Sequence, residues 1–240
     1  MKSIGIIPAR YAATRFDGKV LANLHGKPVI QHVWENAKKA HTLDDLIIAA
    51  DDDRIIKVVE SFGAKAISTA KEHPSGTDRL REIVNPLDVD IVVNIQADEP
   101  FVQSSMIDGL VAALLQDENI VMATLMKKID NQEDISNPNV VKVVVDKDNF
   151  ALYFSRAAIP VYRESSTGVY YKHIGLYSYT KDFLFTFANL PLSNLEKAEK
   201  LEQLRALENG YRIKVLETSY ETIGIDTPQD LEKAKTLLRK

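Results

Sequence analysis

Short apolar runs alternate with amphipathic stretches through the first half of the chain. Ser3–Ile7 reads as a strand, followed by a long polar loop to Lys27. Pro28 suits the first turn of a helix, where its missing N–H costs nothing. That helix runs to about Ala40, with Ile30, Val33, Trp34 and Ala37 on one face. Leu46–Ala50 reads as a buried strand. Asp51–Asp53 can cap a helix that carries Ile55, Ile56, Val59 and Phe62 and stops at Gly63. Lys65–Ile67 is a further strand, and a loop through Ser75 and Gly76 leads to a helix near Thr77–Val84. Ile91–Ile95 is another continuous apolar strand, ending in Gln96-Ala97-Asp98-Glu99-Pro100. A helix near Ser104–Leu115 and a strand near Val121–Leu125 follow. Short apolar runs separated by helices predict parallel βαβ units whose sheet is covered on both faces.

The rhythm changes at about Asn139. Val140–Val145, Ala151–Phe154 and Tyr170–Tyr179 are strand-like without full helices between them, so residues 139–190 read as an antiparallel excursion. Helices resume at Lys181–Ala188 and Leu195–Asn209. Lys214–Glu217 is a late strand, and Thr227 caps a last helix, Pro228–Leu238. No repeat, linker or low-complexity tract interrupts the 240 residues, which read as one α/β domain, 1–240, with a mainly parallel central sheet.

Composition narrows the chemistry. With no cysteine, disulfides, thiol nucleophiles and Cys-ligated zinc are excluded. No apolar run approaches the roughly 20 residues of a membrane span. The start, MKSIGIIPAR, lacks the apolar core and cleavage site of a signal peptide, so a cytoplasmic protein is expected. The net charge of −4 hides an asymmetry. Residues 1–39 carry Lys2, Arg10, Arg15, Lys19, Lys27, Lys38 and Lys39 against Asp17 and Glu35, a balance of +5, which leaves −9 for the rest. That distribution argues against nucleic acid as a partner and fits one small polyanion held near the N-terminal loop.

In open α/β sheets ligands sit beyond the carboxyl ends of strands. After the first strand come Arg10, Arg15, Gly18 and Lys19. Neither a P-loop nor G-x-G-x-x-G is present, so these charges either grip phosphates or decorate a solvated loop. Asp98 follows the central strand and Asp226 precedes the last helix. Each could cap a helix, although Thr227 already offers that cap for the second. If the two meet, they form a hard oxygen site suited to Mg²⁺, completed by phosphate oxygens and water. His73 and His173 are isolated, no helical His pair at metal spacing exists, and each reads as a satisfied structural or surface residue. No G-x-S-x-G elbow exists, and Ser75 reads as a loop hydrogen-bonding residue. Leu201, Leu204 and Leu207 form a core face, with Glu202, Gln203 and Arg205 on faces that would ordinarily meet solvent.

Taken together, IIPARYAATRFDGKVL (6–21), HGKPVIQHV (25–33), HPSGTDR (73–79), VNIQADEP (93–100), NPNVVKVVVD (137–146), ALYFSRAAIP (151–160), YKHIGLYSY (171–179), LEQLRALENG (201–210) and GIDTPQDL (224–231) resemble the 3-deoxy-manno-octulosonate cytidylyltransferases, or CMP-KDO synthetases. The resemblance implies a Rossmann-like nucleotidyltransferase fold, a homodimer built through the mixed-strand section, and Mg²⁺-dependent transfer of CMP from CTP to an acidic octulosonate sugar for lipopolysaccharide synthesis. It implies that Pro8, Ala9 and Arg10 line the cytidine and phosphate pocket, that Arg15 and Lys19 meet the triphosphate, and that Ser75, Gly76 and Arg79 read base and ribose. It places the metal on Asp98 and Asp226, and the sugar among Gln96, Arg156, His173, Tyr177, Glu202 and Gln203. Arg10, Lys19, Asp98 and Asp226 would be catalytic. Ala13, Asp17, Val20, Pro74 and Ala97 depart from the family's usual residues, and they keep a related acidic-sugar acceptor (an 8-amino KDO variant or a sialic acid) and a non-catalytic nucleotide-binding homologue as the alternatives.

Overall fold

The computed structural model describes residues 1–71, 73, 76–164 and 168–238. In chain order the elements begin with β1 (Ser3–Ala9) and a single 3-10 turn (Lys19–Leu21). A small hairpin of β2 (Asn23–Leu24) and β3 (Lys27–Pro28) follows, then α1 (Val29–Ala37), β4 (Asp45–Ala50), α2 (Asp53–Ser61), β5 (Lys65–Ser68), α3 (Gly76–Val84), β6 (Ile91–Asn94), α4 (Ser104–Gln116), β7 (Met122–Lys128) and α5 (Gln132–Ser136). The second half comprises β8 (Lys142–Val145), β9 (Ala151–Ser155), β10 (Tyr171–Thr180), α6 (Lys181–Asn189), α7 (Asn194–Glu199), α8 (Leu204–Glu208), β11 (Lys214–Glu217) and α9 (Pro228–Leu237). Among the described residues, no helix is long and apolar enough to cross a membrane.

The main sheet runs β11-β7-β10-β6-β1-β4-β5. β1 pairs in parallel with β4 and β6, and β4 with β5, as the alternating pattern predicts, and the late strand β11 pairs in parallel with β7. β10 is the exception. It lies inside the sheet, antiparallel to both β6 and β7, and the β8–β9 hairpin hangs from one end of it. The excursion expected over 139–190 therefore contributes a central strand as well as a hairpin.

Strand alternation divides the core into two layers. Ile7, Ala9, Ile48, Val93 and Ile95 pack with Ile30, Val33, Val59 and Leu110 on one face. Ile4, Ile6, Ile47 and Val92 pack with Leu80, Leu184, Phe187 and Leu204 on the other. A third small cluster of Leu24, Val29, Ile225, Leu231 and Ala234 fastens α9 to the β2–β3 hairpin.

The continuous helix expected over 195–209 is interrupted. A Ser193–Glu196 capping box starts α7, Lys200 takes a left-handed conformation (φ 54°), and the chain re-enters a helix at Leu204. The break turns Gln203 and Arg205 inward, where both are buried, instead of leaving them in water. Arg205 forks onto Glu196 across the break at 2.6 and 2.8 Å.

Candidate active site

The loops after β1 and β6 open at one rim of the sheet, because β1 and β6 run in parallel register. Between them lies a cleft of about 390 Å³ lined by Pro8, Arg10, Ala12, Ala13, Lys19, Val20, Gly76, Gln96, Ala97 and Asp98. The β1 loop is folded on itself. Gly18 stands at φ 66°, donates its N–H to the Tyr11 carbonyl at 2.8 Å, and would press any Cβ to 3.2 Å from the Tyr11 ring. Asp17, a departure that adds negative charge, accepts the Ala13 N–H at 2.8 Å and so closes the loop. Ala97 is not among the residues with positive φ, so its backbone makes no demand for glycine.

Asp226 reaches this rim on the irregular segment between β11 and α9. The Ile225 N–H donates to the Asp98 carbonyl at 2.9 Å, and the Ile225 side chain is fully buried. Thr227 caps α9 through the Asp230 N–H, which leaves the Asp226 carboxylate free of capping duty. Asp98 and Asp226 consequently face one cation: Lys19 Nζ donates to Asp98 Oδ2 and, at 2.7 Å, to Asp226 Oδ1. Arg15 Nη2 lies 2.9 Å from Asp226 Oδ2. Burial works against the Lys19 charge, but Asp98 and Asp226 more than offset it and hold its pKa up. Burial likewise opposes the Asp226 charge, yet Lys19 and Arg15 bring its carboxyl below the usual range. Beside them Glu99 is pushed up to about 7, by burial and then by Asp98, against a hydrogen bond from Thr222. Among the described residues no group of three or more His, Cys, Asp or Glu could hold a metal. Two carboxylates already sharing a cation nevertheless fit a magnesium ion that takes its remaining ligands from phosphate and water.

The other candidates fall into three groups. Arg10 Nη2 donates to the His73 carbonyl at 2.9 Å and lines the cleft. Gly76 opens α3, where an added Cβ would lie 3.7 Å from the Pro8 ring. The Ala9 methyl points into the core, so only its backbone can face a ligand. Arg79 is wholly buried: its guanidinium donates to Thr69 Oγ1 and approaches Asp51 at 3.5 Å, Nε has no partner, and burial pushes its pKa down. Its head sits against Asp51, on the loop after β4, and is not among the residues lining the cleft. Ser75 lies outside the described residues.

Gln96 donates to the Gly175 carbonyl at 3.1 Å, which joins the cleft to β10. There His173 stacks edge-on to Phe154 at 5.0 Å, lies 5.3 Å from Tyr177, and shares a 3.0 Å hydrogen bond with Thr124. Glu202 accepts from Thr77 Oγ1 at 2.9 Å and helps to raise the Tyr177 pKa, after burial. Gln203 Nε2 is buried without a hydrogen-bond partner. Thr77 is a residue sequence reasoning missed; its place in the first turn of α3, one residue past Gly76, was the available signal. Arg156 stands apart, its guanidinium spread over the carbonyls of Glu199 (2.7 Å), Pro138 (2.9 Å) and Lys200 (3.5 Å).

Burial takes the His173 pKa down to about 3 from 6.5. The unfolded chain therefore binds the proton more readily than the folded one. The contribution to stability is complete above pH 6.5 and is lost as pH falls toward 3, by up to about 1.4 kcal/mol per pH unit for one proton. The His173 ring resonances are expected to stay fixed from pH 8 to 5 in an NMR titration; a midpoint in that window would show that the ring is not held neutral.

Residues 4–216 match the Cytidylyltransferase family. The chain is 50% identical over 251 residues to the 3-deoxy-manno-octulosonate cytidylyltransferase of Geotalea uraniireducens, covering all of both chains. It is 51% identical over 252 residues to the protein of that name from Thermodesulfovibrio yellowstonii, covering 99% of this chain and 98% of the relative. The solved structure of CMP:2-keto-3-deoxy-manno-octonic acid synthetase complexed with CTP superimposes with a TM-score of 0.95 at 40% identity, over 100% of this chain and 99% of the other.

Proposed function

The chain belongs to the 3-deoxy-manno-octulosonate cytidylyltransferase family, and from that membership we propose that it transfers CMP from CTP to the anomeric hydroxyl of 3-deoxy-manno-octulosonate. The product, CMP-KDO, would serve lipopolysaccharide synthesis in the cytoplasm. The observation that carries this reading is the meeting of Asp98 and Asp226 on one cation at the mouth of a cleft edged by Arg10 and Gly76.

In this reaction the sugar's anomeric oxygen forms a bond to the α-phosphorus while the bond to the bridging β-phosphate oxygen breaks and pyrophosphate leaves. Both substrates are anions, so the chain must supply cations to bring them together. Arg10, Arg15 and Lys19 lie on the β1 loop and can neutralise the triphosphate. A magnesium ion held by Asp98 and Asp226 would neutralise phosphate oxygens and make a nearby hydroxyl easier to deprotonate. Gln96 connects this rim to β10, and Tyr177 on that strand, with Glu202 and the unpartnered Nε2 of Gln203 on the turn between α7 and α8, would offer hydrogen bonds to sugar hydroxyls. Arg156 would have to exchange carbonyl partners to grip the sugar carboxylate. His173, held neutral, acts there as a hydrogen-bonding ring and not as a cation. Catalysis then consists mostly of positioning and charge neutralisation, and no covalent enzyme nucleophile is required.

Pyrophosphate release from CTP, dependent on Mg²⁺, should be seen with 3-deoxy-manno-octulosonate and exceed that with its 8-amino variant and with sialic acid. Release with none of them contradicts the enzyme reading; preference for another acid contradicts only the acceptor.

The homodimer is part of the same proposal. Leu152, Val161 and Val169 are 62, 79 and 40% exposed within the β8–β10 section, bare apolar side chains that an interface would cover. Light scattering is expected to give twice the 26.9 kDa chain mass. Leu152→Asp should shift the population toward monomer; an unchanged dimer would place the interface elsewhere.

A further inference from the structure

In the free protein the space between Asp98 and Asp226 is filled by the chain's own cation. Lys19 Nζ donates to one oxygen of each carboxylate, and its side chain is only 15% exposed. An ammonium and a dication would compete for the same oxygens. Lys19 begins the 3-10 turn fixed by Gly18, so its backbone is anchored, but its four-carbon stem can swing the head by bond rotation alone. Lys19 also lines the cleft, so a triphosphate bound there would come within that swing. Arg15, on the second oxygen of Asp226, is 60% exposed and has similar freedom.

We propose that Lys19 is a displaceable counter-ion for the Asp98–Asp226 pair, and that its transfer from the carboxylates to the triphosphate couples nucleotide binding to metal binding. The proposal rests on the reading of these aspartates as metal ligands. Without nucleotide, a divalent ion must either evict an ammonium whose ion pairs among the described residues are with these two carboxylates, or sit beside it. With nucleotide, the phosphate oxygens receive the ammonium and both carboxylates turn to the metal. Such coupling is reciprocal: nucleotide tightens metal by the factor by which metal tightens nucleotide. The counter-ion role also makes one substitution act in opposite directions. Removing the Lys19 charge tightens metal in the nucleotide-free protein and weakens the nucleotide, a combination that mere loss of a structural contact does not produce.

The test is Mn²⁺ binding to the full-length, nucleotide-free protein, followed by paramagnetic resonance of the free ion, in wild type, Lys19→Met, Lys19→Gln, Asp226→Asn and the Lys19→Met/Asp226→Asn double variant. Circular dichroism confirms that each is folded; Lys19→Gln substitutes if Lys19→Met is not. We expect Lys19→Met to bind Mn²⁺ at least tenfold more tightly than wild type, and Asp226→Asn to abolish that gain in the double variant. Equal or weaker binding by Lys19→Met, with wild-type binding still dependent on Asp226, overturns the counter-ion role and leaves the metal ligands standing. Binding that ignores Asp226 in both backgrounds overturns the metal site and the proposal with it.

Discussion

Asp98→Asn should lower turnover by at least about a thousandfold, while thermal unfolding moves by no more than about 2 °C. The amide keeps the size of the side chain and one oxygen for Lys19, but it lacks the charge that would hold a divalent ion against the triphosphate. Stability should barely respond, because Lys19 keeps its second partner, Asp226, and the turn is fixed through the Asp98 backbone carbonyl. Steady-state kinetics beside a melting curve check both halves. Turnover near the wild-type rate would remove Asp98 from the chemistry, and a large loss of stability would make it a structural residue.

The largest effect on stability is expected at the broken helix pair. Arg205→Met leaves the Glu196 carboxylate without the guanidinium that forks onto both of its oxygens, in a pair whose side chains are only 11 and 10% exposed. Removing one partner of a buried pair costs about 3–5 kcal/mol, a fall of roughly 6–20 °C in a domain of this size. The Arg205–Glu196 pair ties α8 to α7 across the turn that holds Glu202 and Gln203, so the octulosonate KM should rise more than the CTP KM. Denaturant and thermal unfolding measure the first effect and substrate titrations the second. A drop under about 1 kcal/mol would mean that the pair is solvated and the turn is held by the Leu204 packing alone.

The parallel half of the sheet was legible because β4 and β6 carry short continuous apolar runs, Leu46–Ala50 and Ile91–Val93, and helices separate β1, β4, β5 and β6 along the chain. The place of β10 was not, since it depends on long-range pairing with β6 and β7. A signal existed in Ile174, Leu176, Tyr177 and Tyr179, which supply apolar or aromatic surface to both faces, as an interior strand must. The break at Lys200 has no such signal: the leucine spacing of 201–207 continues a helical period, and the left-handed residue is a lysine.

At the site, the acids and bases were legible one by one, as polar residues just after strands or just before a helix. Their convergence was not. Asp226 arrives through one backbone hydrogen bond to Asp98 and the burial of Ile225 among Leu24, Val29 and Leu231, and nothing local announces either. Arg79 shows the opposite failure. A basic residue in a ligand-like segment is expected to point outward, yet its aliphatic stem and guanidinium are enclosed between Asp51 and Thr69.

The most direct test is a crystal soaked with CTP and Mn²⁺, with the metal located by its anomalous signal. The account predicts one Mn²⁺ bound by an oxygen of Asp98, an oxygen of Asp226 and the triphosphate at about 2.0–2.3 Å, with Lys19 turned onto phosphate. A metal held by phosphate and water alone, with Lys19 still bridging the two aspartates, would contradict it.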